Sequence, residues 1–425
     1  MNRQERKDAA LYGLGEGIWG LGIGLVAPLT VLPLLIRQLG GGPLEIGWIY
    51  AMATAGFLLT QPVGTLLAAH GGGKRGFLLG YHAATVLPLY AAMAAVIWFV
   101  GSRAEGRTAA RLLLLSLFSL RVLLTGPIVP LWQDWVAGLF STQSRGRAVG
   151  FYMAAAAVGV SVGAVAAAHI RGRYSFPVDC ALLFAGATVV LAISIASFLL
   201  VSPGQARPDA APPTVPGLLA RFRWSLRDAN YRRYLAGRVL LTLGSGATAF
   251  VAVHYRSPEG GSLSDATIIG LGGVLTLTQA GGSLWLGALG DRSGHRAGVL
   301  VGAIAQMAAL AVAFVGTGVT ACVLCFACLG LAYASGNVSH QNMIFETCPH
   351  DNRVAHITLS NVVLSPFMAA IPLATAYLVS HIGTLGAFAA CTVPTMLGTL
   401  WLTLLVSDPR AVELGPARLG PQGTR

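Results

Sequence analysis

Gly287-Ala288-Leu289-Gly290-Asp291-Arg292-Ser293-Gly294-His295-Arg296 is a cluster of glycines and charges at the junction of two apolar segments, residues 268–289 and 297–315. Each segment is long enough to cross a bilayer, whose hydrocarbon core takes roughly 20 apolar helical residues. Glycine permits a turn too tight for other residues. A carboxylate near a helix N-terminus is favoured by the helix dipole and by free backbone N–H groups. The stretch therefore predicts a short, charged turn between two membrane helices.

The rest of the chain agrees with that turn. Hydrophobic residues make up 55% of the sequence and charged residues 10%, with a mean hydropathy of +0.68; soluble domains carry about 25% charged residues. Twelve apolar spans can be laid out, at 9–37, 46–69, 77–100, 112–140, 148–170, 180–201, 234–254, 268–289, 297–315, 321–345, 354–378 and 388–405. The alternation of a membrane barrel is absent. The 54 glycines fit helices that pack through small residues, because lipid gives no hydrophobic drive between helices. These features predict an all-α integral membrane protein.

A net charge of +12 raises the question of nucleic acid, yet the basic residues lie in short loops rather than on one soluble face. With the N-terminus inside, one side of the membrane receives Arg3, Arg6, Lys7, Lys74, Arg75, Arg145, Arg147, the six basic residues from Arg207 to Arg233, then Arg292, Arg296, Arg353 and three from Arg410 onward. The other side receives only Arg37, Arg103, Arg107, Arg111, Arg171, Arg173 and Arg256, while Arg121 and Arg238 stay inside spans. Such a bias places both termini in the cytoplasm of an inner-membrane protein with no nucleic-acid partner. The first apolar stretch is too long for a signal-peptide core and is expected to remain as a span. A proline-rich, polar break divides the spans six and six, giving an N-terminal half (1–201), a cytoplasmic linker (202–226) and a C-terminal half (227–425). Two equal halves around a mid-membrane site are a common plan for secondary transporters.

Gly287 to Arg296 also matches the G-x-L-x-D-R-x-G-x-R loop of the major facilitator superfamily, which this chain resembles over nearly its whole length. The equivalent first-half loop, Gly64 to Arg75, keeps the frame but carries Ala68 in place of the acid. Further likenesses are Arg121 followed by Gly126, Arg145-Gly146-Arg147-Ala148-Val149-Gly150, and Glu346 through Arg353 to Asn361. Thr30-Val31-Leu32-Pro33 with Leu39-Gly40 and Ile46-Gly47 resembles bacterial members without assigned substrates. The resemblance implies two pseudo-symmetric six-helix halves and a conformational gate made of Gly287, Asp291, Arg292, Gly294 and Arg296. It also implies that Asp291 braces the start of the fifth span near Arg145 and Arg147 when the transporter opens outward. Ala68 leaves the opposite loop without such an acid, so the start of the eleventh span would rely on Asp351 or Asn352 as a cap.

A charge inside a span costs a few kcal/mol on insertion scales and so faces a cavity or a partner. Glu16 lies about two turns into the first span and is a candidate proton-coupling residue; the alternative is an interfacial acid wetted from the cytoplasm. Arg121, which keeps its charge, suits an anchor for anionic or polar cargo, or else pairs with Glu45 or Asp179. Arg121, Thr125, Ile128, Trp132 and Trp135 recur at helical spacing on one face, and Pro127 and Pro130 are expected to bend that helix; the two tryptophans also fit interface aromatics. Tyr333, Asn337, His340, Gln341 and Ile344 form a comparable stripe in the tenth span. His340 there is either a second proton site or a histidine satisfied by Asn337 or Gln341. Tyr50, Thr54, Phe57 and Gln61 share a face of the second span, and Thr276 and Gln279 support it from the eighth.

Other chemistries are unsupported. Gly71-Gly72-Gly73-Lys74-Arg75 has Arg75 where a phosphate-binding loop needs Ser or Thr, and Ala68 where it needs Gly. No H-E-x-x-H motif marks a metalloenzyme. Cys322, Cys325 and Cys328 read as small buried hydrophobes rather than metal ligands, and no cofactor is expected. The sequence points to a secondary transporter of a small organic solute, proton-coupled, with export favoured. A transporter-like sensor or assembly partner is the alternative, with only a 25-residue linker to carry any signalling role.

Overall fold

The computed structural model describes residues 1–58, 60, 74–140, 142–204, 220, 222–347 and 353–409; at some helical positions, Asp291, Arg145 and Arg147 among them, it describes the backbone alone. Gln61, Ala68, the linker from 205 to 219, Asp351, Asn352 and the tail from Arg410 lie outside the described residues.

Helices account for the described structure. In chain order they are α1 (Arg3–Leu25), α2 (Val31–Gln38), α3 (Pro43–Ala51), α4 (Lys74–Ala95), α5 (Arg107–Thr125), α6 (Ile128–Leu139), α7 (Thr142–Arg173) and α8 (Val178–Phe198). After the linker come α9 (Ala229–Gly244), α10 (Val251–Arg256), α11 (Asp265–Ser293), α12 (His295–Val315), α13 (Gly318–Asn337), α14 (Ser339–Thr347) and α15 (Arg353–Leu405). Among the described residues, nine helical segments are long and apolar enough to span a membrane. The last of them, within α15, is two helices meeting at Gly383, whose φ of 73° is open to glycine but costly for other residues. The run 112–140 is also split: α5 ends at Thr125 and α6 begins at Ile128, because Pro127 lacks the N–H that would continue the ladder.

Capping residues start the helices where the chain leaves water. Asn2 accepts from the Glu5 N–H at 2.8 Å while its own N–H donates to Glu5 Oε2 at 2.8 Å, a reciprocal cap for α1. Asp228 accepts from the N–H groups of Asn230 and Tyr231 at the start of α9, and Ser264 caps α11 through Thr267 N–H.

Packing explains the glycine content. Along the α1–α7 seam a Cβ on Gly20 would overlap the Ala156 carbonyl oxygen, and one on Gly159 would overlap the Gly17 carbonyl oxygen. The two backbones touch because neither side carries a side chain, the small-residue packing that lipid-embedded helices rely on. Apolar side chains at the periphery face outward, Leu404 (75%), Phe99 (68%) and Leu284 (68%) among them, as expected of lipid-facing helix surfaces.

The N-terminal and C-terminal helices seal against each other at one end, the end that the charge bias assigns to the outside. Arg171 on α7 pairs with Asp179 of α8 at 2.5 Å and with Asp265 of α11, and Arg256 binds the other Asp265 oxygen at 2.8 Å. Ser161 Oγ donates to the Gly273 carbonyl at 3.3 Å, and Arg37 donates to the Val253 carbonyl at 3.3 Å.

Candidate functional site

A cavity of about 190 Å³ lies among α3, α9, α12, α13, α14 and the first part of α15. On one side the Tyr50 and Tyr333 hydroxyls, 2.9 Å apart, join α3 to α13, with Thr248 beside them in the wall. On the other side stand Arg238 from α9 and His340 from α14. Tyr234, fully buried, holds that pair. Its hydroxyl donates to the His340 carbonyl at 2.9 Å and lies 3.0 Å from His340 Nδ1, close to Arg238. Arg238 Nη1 also donates to Ser360 Oγ at 3.3 Å.

Most other polar wall groups have their hydrogens committed. Thr242 donates to the Arg238 carbonyl at 2.9 Å, Ser245 to the Thr242 carbonyl at 2.8 Å and Thr54 to the Tyr50 carbonyl at 2.8 Å. The Gln306 amide donates to the Leu241 carbonyl at 3.1 Å and to Thr395 Oγ1 at 3.2 Å. Among the described residues, no Asp or Glu lines the cavity.

Of the residues singled out in the sequence, Tyr50, Tyr333 and His340 meet at this wall, with Thr54 beside them. Asn337 and Gln341 are exposed and do not line it: α13 ends at Asn337 and α14 begins at Ser339, so the stripe changes phase at Val338. Gln61 lies outside the described residues. Arg121, Thr125 and Trp132 also sit elsewhere, among the N-terminal helices. The Arg121 guanidinium carbon is 5.6 Å from the Tyr90 ring centre and 5.5 Å from that of Phe118, within cation–π range. Its buried Nε finds no acceptor among the described residues. Glu45 and Asp179, the two acids expected as its partners, pair with Arg111 at 3.0 Å and with Arg171 instead. Thr125 donates to the Arg121 carbonyl at 2.8 Å.

Trp132 belongs to an aromatic cluster with Tyr12, Trp135 and Phe198. Its Nε1 donates to Tyr12 Oη at 2.5 Å, and Glu16 lies one turn along α1 from Tyr12. Sequence reasoning misses Arg238 as a cavity residue, although an arginine inside a span is the same signal that marks Arg121. Among the described residues, no group of three or more His, Cys, Asp or Glu could hold a metal ion. Cys322 and Cys325 are fully buried.

The charged turn forms as its glycines require. Helix α11 runs to Ser293, Gly294 takes φ 82° and ψ 149°, and α12 starts at His295. Arg292 is exposed, whereas Arg296 reaches across to donate to the Thr403 carbonyl at 2.6 Å, at the C-terminal turn of α15. Arg75, at the start of α4, does the same for α8 through the carbonyls of Leu199, at 3.2 Å, and Val201. A cation there meets both unpaired carbonyls and the negative end of the helix dipole. The correspondence extends to Asp8, which accepts from Ser202 N–H at 3.0 Å, and Asn230, which accepts from Ser407 N–H at 2.8 Å.

Solved membrane transporters share this architecture. The chain is similar to a mutant form of the nucleoside transporter NupG, with a TM-score of 0.75 at 10% identity over 93% of this chain and 98% of that one. It is similar to a bacterial homologue of the human lysosomal transporter Spinster in an inward-facing, unoccupied conformation, with a TM-score of 0.67 at 13% identity over 96% and 97%. An autoinhibited peptide transporter of the POT family matches with a TM-score of 0.63 at 14% identity over 93% and 95%. At such identities the likeness is one of fold. No curated protein sequence matches the chain. The Major Facilitator Superfamily sequence model, however, matches residues 13–275 and 235–424, and with the helical fold and the Gly287–Arg296 turn it establishes that this chain belongs to the Major Facilitator Superfamily, a family of membrane transporters.

Proposed function

We propose that this chain is a secondary active transporter that carries a small organic solute across the inner membrane by alternating access, coupled to protons and working in the export direction. The observation that supports this reading is the cavity. Polar groups from α3, α9, α12, α13 and α14 surround it, while the N-terminal and C-terminal helices are sealed at the Arg171–Asp265 end. A site enclosed between two bodies and closed toward one side is what alternating access requires.

In this reading the spans number twelve and residues 1–201 and 227–425 rock about the 202–226 linker. Tyr50 and Tyr333 touch the cargo, and Arg121 is the N-terminal helices' candidate anchor. Glu16 carries the coupling proton, one helical turn from a Tyr12 hydroxyl that accepts from Trp132, with His340 as a second proton site. Asp291 braces the start of α7 when the cavity opens outward. The largely apolar wall suits an amphipathic compound that enters from the cytoplasm.

The test is proton movement in proteoliposomes loaded with a pH-sensitive dye and challenged with lipophilic cations, organic acids and sugars. A compound-dependent proton flux that disappears in Glu16→Gln is the expected result. Flux that persists in Glu16→Gln removes that residue from coupling. Saturable binding without flux of any compound overturns the transport reading.

A further inference from the structure

We propose that Arg238 anchors an anionic group, and that the cargo is a small organic acid bearing its own hydrogen-bond donors, a hydroxy acid being the simplest case. This inference rests on the reading of the cavity as the transport site and names the class of its occupant.

The first argument is charge. Arg238 lies inside the span Ala229–Arg256 and lines the cavity. Its hydrogen-bond partner is the neutral hydroxyl of Ser360, with the Tyr234 hydroxyl nearby. Among the described residues no carboxylate pairs with it, whereas Arg111, Arg171 and Arg256 all hold acids. A guanidinium cannot shed its charge as a lysine can, and its planar fork matches a carboxylate. A cation in a membrane interior is costly unless a partner arrives, and the cavity is the open direction from which one can arrive.

The second argument is the polarity of the remaining wall. Thr242, Ser245, Thr54 and the Gln306 amide have spent their hydrogens on backbone carbonyls or on Thr395. The Tyr234 hydroxyl hydrogen goes to the His340 carbonyl, so the short contact at His340 Nδ1 is satisfied when that nitrogen carries the ring hydrogen. Nε2 is then left as an acceptor. Apart from the cationic donor and the one hydroxyl hydrogen that the Tyr50–Tyr333 bond leaves over, the wall therefore offers mainly lone pairs, which a cargo meets with O–H or N–H groups. At about 190 Å³ the space is below the roughly 300–1,000 Å³ of drug-sized ligand sites, and Tyr50 and Tyr333 give it an aromatic face.

Three probes separate these contributions: mandelate, its neutral isostere mandelamide, and phenylacetate, which keeps the charge but lacks the hydroxyl. Binding is measured to the full chain in lipid nanodiscs, and counterflow of labelled mandelate in proteoliposomes. Mandelate is expected to bind tightest, with the preference for mandelate over mandelamide falling about tenfold to hundredfold in Arg238→Gln, the range for loss of a charged hydrogen bond. Arg238→Lys is expected to retain part of that preference, which controls for misfolding. The proposal is overturned if mandelamide binds as well as mandelate, if neither acid binds, or if the preference survives Arg238→Gln, with its loss in Arg121→Gln then placing the anchor among the N-terminal helices. Phenylacetate binding as tightly as mandelate overturns the hydroxyl part. Anion-selective binding without counterflow leaves the anion site standing and removes the transport reading; counterflow of a neutral or cationic solute with no acid bound does the reverse.

Discussion

Tyr234 shows how much one buried side chain can organise. Beside Arg238, its hydroxyl serves the His340 carbonyl and His340 Nδ1, so Tyr234→Phe leaves a carbonyl and a ring nitrogen without that partner. Unsatisfied buried groups cost about 1–3 kcal/mol, and a lower melting temperature in detergent together with weaker mandelate binding is expected; unchanged values for both would show that Tyr234 does not hold Arg238 in place. At this scale the sequence is partly legible. Tyr50, Tyr333 and His340 stand out because hydroxyls and imidazoles are rare at such depth. Arg238 carries the same mark but reads in the sequence only as a charge left inside a span. Thr242, Ser245 and Gln306 are hidden for another reason, since each bonds to backbone in its own or a neighbouring helix and a single neutral polar residue has no periodic signature. Asn337 and Gln341 join the wall only if the helix is continuous, and Val338 interrupts it.

Elements pack here by approach of backbones, and the α1–α7 seam is the test case. Any side chain on Gly159 collides with the Gly17 carbonyl oxygen, which no rotamer change can move aside. The helices must separate, and overpacking of this kind costs about 1–3 kcal/mol or more. Gly159→Leu is expected to give a broad, aggregated profile in size-exclusion chromatography. Gly76→Ala, where a Cβ meets nothing within 4 Å, should run as a single peak and gain slightly from the higher helix propensity of alanine. Equal profiles would show that the seam does not hold the N-terminal helices together. The apolar spans and the Gly294 turn are readable because length and glycine placement are local properties. The break between α5 and α6 is foreshadowed by Pro127. The reach of Arg75 and Arg296 to the ends of α8 and α15 is not, because their partners are backbone carbonyls more than a hundred residues away, and a carbonyl has no identity in a sequence.

For the whole molecule the question is what balances the two openings. Asp265 joins Arg171 on α7 to Arg256 at the end of α10, so it ties the N-terminal helices to the C-terminal ones at the closed end, the outer one in the proposed orientation. Arg171 and Asp179 both belong to the N-terminal helices, so their pair need not break in the proposed cycle, whereas the Asp265 pair must, together with the neutral Ser161–Gly273 and Arg37–Val253 hydrogen bonds. Removing its charge in Asp265→Asn should therefore destabilise the closed end by about 1–2 kcal/mol, a shift of roughly 5–30-fold in the ratio of the two states. The brace proposed for Asp291 acts in the opposite sense, holding the cytoplasmic end shut when the outer end is open, so Asp291→Asn should shift the population toward the inward-facing state. Ser161, buried where α7 meets α11 and bonded to the Gly273 carbonyl, reports on this balance. In a cysteine-free background, Ser161→Cys is expected to react slowly with a membrane-impermeant thiol reagent added outside. The reaction should quicken on adding Asp265→Asn and slow further on adding Asp291→Asn. Shifts of the same sign would mean that one of these acids acts on local stability alone. No shift from either would place the balance in the helix seams rather than in charge.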